Sequence, residues 1–181
     1  MNHKSLAAIL LVQCLVVSGV FAQSLDDIVN YREYSASFAS AGQPTEAELE
    51  LIHNAGFERI IYIAFANDGN AFADEDKLVR DLGMEYVHIP VVWTSPTVAD
   101  FENFAAIMQS NPQKKTLLHC QVNWRASAFS FLYRVLHDGV PMAEAKADMN
   151  TVWEPNEMWR GLIFGVLEAN GLSPDCEACE W

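Results

Sequence analysis

The sequence predicts an α/β protein whose mainly parallel central sheet is flanked by helices. Residues 59–65 form a continuous apolar segment with the composition of a strand that is buried on both faces, and residues 86–91 and 116–120 are the next predicted strands. Between them lie segments whose apolar residues recur at helical spacing. Strands that alternate with helices at these distances indicate a parallel sheet with helices on both faces.

The first 22 residues have the pattern of a cleaved secretory signal. A short basic start precedes an apolar run, and Val20-Phe21-Ala22 places small residues three and one positions before a cut at Gln23. Because the run is shorter than the ~20 residues of a spanning helix, an uncleaved anchor is the less favoured alternative. We therefore expect a periplasmic or secreted protein, with residues 23–181 as a single domain that ends in a C-x-x-C tail.

The first predicted helix follows a turn. Residues 28–41 are polar and aromatic, and they lead into the turn-like segment 41–44. Thr45 and Glu48 have the spacing of a capping box, which marks the start of a helix. Apolar residues at helical spacing continue this helix to Gly56, because glycine commonly ends helices.

The remaining elements follow in the order expected of an α/β domain. Thr97 and Asp100 mark another helix start, and Phe101, Phe104 and Met108 then lie on one helical face. The further predicted elements are a loop at 66–70 and helices at about 74–82, 125–136, 142–150 and 156–170. This order places the carboxyl end of the strand at 116–120 directly before a helix.

Acidic residues greatly exceed basic ones. The formal net charge is −13 at pH 7, from 24 Asp and Glu against 11 Lys and Arg. Such a charge repels nucleic acid and anionic lipid at long range, so we expect neither a nucleic-acid partner nor stable membrane association after signal cleavage. Highly anionic substrates are also disfavoured unless the site itself is locally positive.

Three cysteines follow the predicted cleavage point: Cys120, Cys176 and Cys179. An odd count in an exported protein leaves at least one thiol free or exchangeable. The spacing of Cys176 and Cys179 fits a disulfide that closes a small loop in the tail, or a redox pair. Two cysteines alone make a poor structural zinc site, because such sites use four ligands.

The stretch LLHCQVNWRASAF, residues 117–129, combines a thiol with a guanidinium at a strand-to-helix junction. Ligands of parallel α/β sheets bind where the carboxyl end of a strand meets a helix, and Cys120 lies at that point. The amides between Cys120 and Arg125, with the helix N-terminus behind them, would form a concave anion site that favours the thiolate. The oxyanion-binding residues would be Gln121, Val122, Asn123, Trp124 and Arg125.

These groups predict covalent catalysis. Attack of the Cys120 thiolate on phosphorus would give a cysteinyl-phosphate that water hydrolyses, which needs neither a cofactor nor a metal. Arg125 would hold two phosphoryl oxygens, and His119 would either tune the thiolate or fill the sheet as a satisfied imidazole. The alternative is a buried apolar Cys120 with Arg125 as a surface cation. A cation in the first helical turn opposes the helix macrodipole, which favours a bound anion instead.

The segment HCQVNWRAS resembles the signature loop of the cysteine-dependent phosphatases. It is most similar to a bacterial phosphatase-like family, of dual-specificity phosphatase type, that also occurs fused to beta-lactamase-type hydrolase domains. The segments AGQPTEAELELIHNAGFERIIYI and GMEYVHIPV extend the resemblance over roughly residues 41–136. It implies a cysteine-phosphatase-like fold and a phosphoric monoester hydrolase acting on phosphotyrosine-like or small aryl phosphates. The partner would be a phosphorylated small molecule or a phosphoprotein.

The loop departs from tyrosine phosphatases in its length. Four residues rather than five separate Cys120 from Arg125, which is also the loop size of rhodanese-type sulfurtransferases. A rhodanese-like sulfurtransferase that carries a persulfide on Cys120 is therefore one alternative. A non-catalytic oxyanion-binding or interaction domain is another.

The loop also departs from the family in three residues. Asn123 stands where the family tends to have glycine, and asparagine is the next best residue for a left-handed backbone conformation. Ser127, the candidate hydroxyl that helps to expel the thiolate, lies two positions after Arg125 rather than next to it. Trp124 would wall the pocket with an aromatic face, which suits an aryl phosphate.

A general acid for the leaving oxygen is the least defined part of the predicted site. Asp100 is the nearest candidate after the strand at 86–91. Its alternative role is to complete the helix cap with Thr97. Asp68 and Glu154 are further candidates.

Overall fold

A five-stranded sheet forms the centre of the protein. The structure, a computed structural model, describes residues 23–67, 69–176 and 179–181; the predicted signal segment 1–22 and Asp68 lie outside these ranges. The strands are β1 (Arg32–Ser35), β2 (Phe38–Ala41), β3 (Arg59–Tyr62), β4 (Glu85–His88) and β5 (Thr116–His119). They lie in the order β1-β2-β5-β3-β4, and only β1 and β2 pair antiparallel. The predicted mainly parallel sheet is confirmed.

The hairpin of β1 and β2, residues 32–41, lies within the segment 28–41, for which the sequence indicated no strand. Each strand is only four residues long. β2 contains Ala39, Ser40 and Ala41, which are small residues with little strand propensity, yet it is buried throughout. Its pairing with β1 and β5 therefore places this strand, and local pattern does not reveal it.

In the described ranges of the chain, six α-helices connect and cover the strands. They are α1 (Glu46–Asn54), α2 (Glu75–Asp81), α3 (Val98–Ser110), α4 (Trp124–Leu136), α5 (Met142–Asn150) and α6 (Glu157–Ala169). The capping boxes predicted at Thr45 and Thr97 are present, with Glu48 and Asp100 as their partners. No helix in the described part of the chain is both long and apolar enough to cross a membrane.

Two apolar layers lie against the sheet. One contains Leu49 of α1 and Val79 of α2. The other, larger layer contains Phe104 of α3, Phe129 of α4 and Trp159 of α6. Helices therefore cover both faces of the sheet, which leaves the carboxyl ends of the parallel strands as the place for a ligand site.

The C-terminal tail folds back onto the second layer. A disulfide joins Cys176 and Cys179, as the tail spacing predicted. The ring of Trp181 packs edge-on against Phe131 of α4 and Phe164 of α6, with centroids 5.8 and 5.1 Å away. The tail is thus fixed to the helical layer through an aromatic contact.

Candidate active site

Cys120 directly follows β5, the middle strand of the sheet. It is a free cysteine and only 1% exposed. Its backbone N–H donates to the carbonyl oxygen of Ala41 at 3.3 Å, which joins the ends of β5 and β2. We refer to residues 120–125, which lead from β5 into α4, as the 120–125 loop.

Hydrogen bonds from two neighbouring segments shape the 120–125 loop from its inner side. The backbone N–H of Gln43 donates to the backbone carbonyl oxygen of Gln121 at 3.0 Å. Asn30 Nδ2 donates to the Val122 carbonyl at 3.1 Å, and Asn123 Nδ2 donates back to the Asn30 carbonyl at 2.6 Å. The loop is therefore held by hydrogen-bond partners that lie up to 93 positions away in sequence.

Gly42 allows this close approach. A Cβ atom at this position would lie 2.8 Å from Val29 Cβ and 3.0 Å from the Gln121 carbonyl oxygen. Both distances leave no room for a side chain, so the turn before α1 packs against the loop only with glycine. The turn at residues 41–44 that the sequence indicated therefore packs against the 120–125 loop and supports it.

Asn123 makes the turn that a glycine commonly makes. Its φ angle is +68°, in the left-handed region, and it is the residue before α4. Asparagine enters this region more readily than most other non-glycine residues. Asn123 can therefore make the turn although the loop contains no glycine. α4 then begins with its first amide N–H groups at the loop, as at an anion-binding helix N-terminus.

Arg125 lies in the first turn of α4, and a cavity opens beside it. The guanidinium carbon lies 5.3 Å from the centroid of the Trp93 ring, in cation–π geometry. The cavity has a volume of about 350 Å³. It is lined by Gly69, Asn70, Trp93, Cys120, Gln121, Val122, Trp124 and Arg125. The thiol, the loop and the guanidinium that the sequence singled out therefore meet in one cavity.

Three tryptophans, which we call the tryptophan wall, lie at this cavity: Trp93 and Trp124 line it, and Trp153 packs against both. Trp124 and Trp153 stack with centroids 5.4 Å apart and planes 11° from parallel, and Trp93 lies 5.8 and 5.5 Å from them. Trp124 remains 41% exposed. The sequence suggested only Trp124 for this role, because the other two come from distant segments of the chain.

Hydrogen bonds fix the tryptophan wall from behind. The indole N–H of Trp153 donates to Ser127 Oγ at 3.1 Å, and the Ser127 hydroxyl donates to the Trp124 carbonyl at the same distance. Trp159 donates its indole N–H to the Trp93 carbonyl at 3.1 Å. Ser127 is thus a support for the wall, and its assignment as the hydroxyl that expels the thiolate stays a prediction.

His119 is buried on the inner side of the loop, beside a carboxylate. Its Nε2 lies 3.0 Å from Glu75 Oε1, a close pair that lacks the alignment of a directed hydrogen bond. Gln43 Nε2 donates to the other Glu75 oxygen at 3.1 Å, and Tyr62 stacks on the imidazole at 4.6 Å. His119 therefore links the sheet to α2. No local pattern in the sequence indicated a role for Glu75, a buried acid at the first position of α2.

The candidate acids lie away from the described lining of the cavity. Asp100 accepts hydrogen bonds from the Thr97 N–H at 2.9 Å and hydroxyl at 2.7 Å, as the cap of α3. Glu154 borders a different cavity, near Trp181. Asp68 lies outside the described residues. No carboxylate is among the described residues that line the cavity beside Cys120, and the assignment of Asp100 as general acid stays a prediction.

The fold and the loop define a cysteine-dependent phosphatase, and comparisons with known proteins agree. Residues 6–160 match the family model described as DSP-PTPase phosphatase fused to NAD⁺ kinase. The chain belongs to this DSP-PTPase phosphatase family, so it is a phosphatase of the dual-specificity and tyrosine phosphatase type. A comparison with curated protein sequences gives no match.

Solved structures show the same fold. A DUF442 protein from Shewanella putrefaciens is 34% identical with a TM-score of 0.74, over 81% of this chain and 96% of that one. TpbA from P. aeruginosa, in complex with pTyr, is 16% identical with a TM-score of 0.63, over 86% and 98%. PTPMT1 in complex with PI(5)P is 11% identical with a TM-score of 0.67, over 78% and 96%. The last two show a likeness of fold alone.

Proposed function

We propose that the protein hydrolyses phosphotyrosine-like or small aryl phosphate esters through a cysteinyl-phosphate intermediate. The observation that carries this proposal is that a free Cys120 and Arg125 line one cavity, and that the loop between them makes a left-handed turn at Asn123. Family membership supports this activity over the sulfurtransferase alternative, although the loop length suits both.

The reaction has two steps. The Cys120 thiolate attacks phosphorus, an S–P bond forms, and the ester P–O bond breaks to release the aryl oxide, which takes its proton from water. Water then attacks phosphorus, the S–P bond breaks, and inorganic phosphate leaves with the thiolate regenerated. Arg125 and the amides at the start of α4 would stabilise the charge on the transferring oxygens in both steps.

The cavity suits an aromatic leaving group. A tyrosine phenol has a pKa of about 10, so a phenolate leaves far more readily than an alkoxide. The tryptophan wall next to Arg125 offers aromatic faces to such a ring. Aryl phosphates are therefore the substrates that these residues favour.

The structures of similar fold support a phosphorylated substrate of this kind. One of them holds pTyr and another holds PI(5)P. We propose that the substrate here is a phosphorylated small molecule or a phosphoprotein. The choice of an aromatic ester among these rests on the tryptophan wall rather than on the comparisons.

We propose a periplasmic or secreted location. The predicted signal segment at residues 1–22 and the tail disulfide of Cys176 and Cys179 support it, because disulfides persist in oxidising compartments. Expression of the full chain followed by fractionation, with N-terminal sequencing of the mature form, tests this location. A mature form that begins at Gln23 outside the cytoplasm is the expected result.

The activity is tested by hydrolysis of para-nitrophenyl phosphate by residues 23–181 under reducing conditions. Cys120→Ser and Arg125→Ala should each abolish turnover. The double variant Cys176→Ser, Cys179→Ser should retain it, which assigns the reactive thiol to Cys120. Vanadate should inhibit the wild type. Vanadate binding without turnover would favour an oxyanion-binding domain, and persulfide formed on Cys120 from thiosulfate would favour a sulfurtransferase.

A further inference from the structure

A second cavity adjoins the one that holds Cys120. It has a volume of about 500 Å³ and shares three lining residues, Asn70, Gln121 and Val122, with the first. Its other lining residues are Val29, Gln43, Pro44, Thr45, Glu46 and Phe72. The two cavities therefore meet at these three shared residues, which we call the ridge. A ligand in the first cavity can extend across the ridge into the second.

The ridge between the two cavities is polar and fixed. The Gln121 side chain donates from Nε2 to the Tyr62 hydroxyl at 2.9 Å, and its Oε1 accepts from the Asn70 backbone N–H at 3.2 Å. Both contacts hold the Gln121 side chain in one place. The exposed Asn70 side chain adds an amide at the same ridge. Amide groups are suitable partners for a peptide group that crosses here.

The second cavity offers apolar surface and little positive charge. Val29 is 47% exposed, and its place beside Gly42 holds it at the cavity. Pro44 and Phe72 add further apolar surface, and Glu46 is the charged side chain among the described lining residues. Since the whole chain carries a net charge of −13, an acidic ligand group is doubly disfavoured here.

We propose that the two cavities form one site for a phosphotyrosine-containing peptide that has an apolar residue beside the phosphotyrosine. The phosphotyrosine ring lies along Trp124 with its phosphate at Cys120, and the peptide group crosses at Gln121. The neighbouring apolar side chain occupies the cavity of Val29 and Phe72. The aromatic ring of the ligand thus meets the tryptophan wall, its peptide group meets the ridge, and its apolar side chain meets the second cavity. The inference rests on the proposed function.

The test compares two phosphotyrosine peptides of equal length, one with leucine and one with glutamate on both sides of the phosphotyrosine. The measured quantity is the ratio of their kcat/KM values, so any change in basal rate cancels. Wild type should prefer the leucine peptide by about tenfold or more, as expected for an apolar group in a matching pocket. Val29→Lys should lower this ratio about fivefold or more, because it adds a cation that attracts glutamate. Leu172→Lys, at a 38% exposed apolar residue outside both cavities, should leave the ratio at the wild-type value.

Every outcome decides between the claims. If wild type hydrolyses para-nitrophenyl phosphate but shows a ratio near one that Val29→Lys does not move, the extended site is wrong and the proposed function stands. If octyl phosphate is hydrolysed as fast as the leucine peptide, the site binds apolar chains and the peptide inference is again wrong. If wild type hydrolyses none of these esters, the proposed function fails, and the inference fails with it.

Discussion

The inner and outer sides of the 120–125 loop are built from different kinds of side chain. The inner side consists of hydrogen-bonded amides and a buried acid–imidazole pair, with Asn30, Gln43, Glu75 and His119 in contact with the loop or its strand. The outer side consists of tryptophan rings and one guanidinium, that of Arg125.

This difference gives the two sides different roles: one determines the conformation of the loop, and the other determines which ligands the cavity binds. Directional hydrogen bonds fix atoms to one geometry, and a buried polar group that loses its partner is costly, so the inner side determines the loop conformation. Aromatic faces accept many partners with less directionality, so the outer side determines what the cavity binds. Substitutions on the inner side should therefore act on stability, and those on the outer side on catalysis.

Glu75→Ala should give the largest loss of stability. It leaves the buried His119 imidazole and the Gln43 side-chain amide without the carboxylate beside them, and each polar group left without a partner in a buried site typically costs about 1–3 kcal/mol in the free energy of unfolding. Glu75→Gln retains an acceptor for Gln43 and should cost less. Urea unfolding measures both. A loss below about 1 kcal/mol for Glu75→Ala would show that the pair does not stabilise the inner side.

Arg125→Lys should give the largest loss of activity on the outer side. A lysine keeps the charge but not the planar fork, so kcat on para-nitrophenyl phosphate should fall by about 10²–10³-fold. Arg134→Lys is the matched control, because Arg134 is also buried on α4 and lies outside the described lining of the cavity. Equal rates for the two lysine variants would contradict the assigned role of Arg125.

Asn123→Ala should destabilise the protein by about 2–3 kcal/mol. It loses the hydrogen bond to the Asn30 carbonyl, and it forces a Cβ-bearing residue without local hydrogen bonding into a left-handed conformation that costs about 1–2 kcal/mol. Asn123→Gly loses only the hydrogen bond and should be about 1 kcal/mol more stable than the alanine variant. Thermal unfolding of the pair measures this difference, and an alanine variant as stable as the glycine variant would refute it.

Ser127→Ala should weaken both stability and substrate binding, but only slightly. It leaves the Trp153 indole N–H without its acceptor, at a cost of about 1–2 kcal/mol. Because Trp153 stacks on Trp124, we also expect KM for an aryl phosphate to rise while kcat changes little. Steady-state kinetics separate the two. A fall in kcat with unchanged KM would instead support Ser127 as the hydroxyl that expels the thiolate.

Asp100→Asn should give the smallest effect. Its carboxylate caps α3, and loss of that charge near the helix N-terminus costs about 0.3–1 kcal/mol. If capping is its role, the variant should slow para-nitrophenyl and phenyl phosphate hydrolysis equally. A loss that grows with the pKa of the leaving phenol would identify Asp100 as the general acid.

The sequence predicted the elements that carry strong local signals. The capping boxes at Thr45 and Thr97 and the strands β3, β4 and β5 all lie in short stretches of chain. Family resemblance and the Cys120 and Arg125 pair likewise depend on one contiguous loop. These features could be predicted because each depends on a pattern that spans about ten to twenty residues, the length of one helix or strand with its caps.

The parts that were missed depend on contacts between distant segments. β2 is a strand because β1 and β5 lie on either side of it, although Ala39 and Ser40 have little strand propensity. Glu75 reaches His119 across 44 positions of the chain, from 75 to 119. Trp93 and Trp153 join Trp124 only when three segments have folded. No local pattern contains such information, so the supporting shell of the site required the structure.

The most direct test of the central claim is to trap the covalent intermediate. The wild-type protein is mixed with an excess of para-nitrophenyl phosphate, quenched within the first turnovers, digested and analysed by mass spectrometry. We predict one phosphoryl group on the peptide that contains Cys120, and none in Cys120→Ser. A phosphoryl group on another residue, or steady turnover by the Cys120→Ser variant, would contradict the claim that Cys120 is the nucleophile.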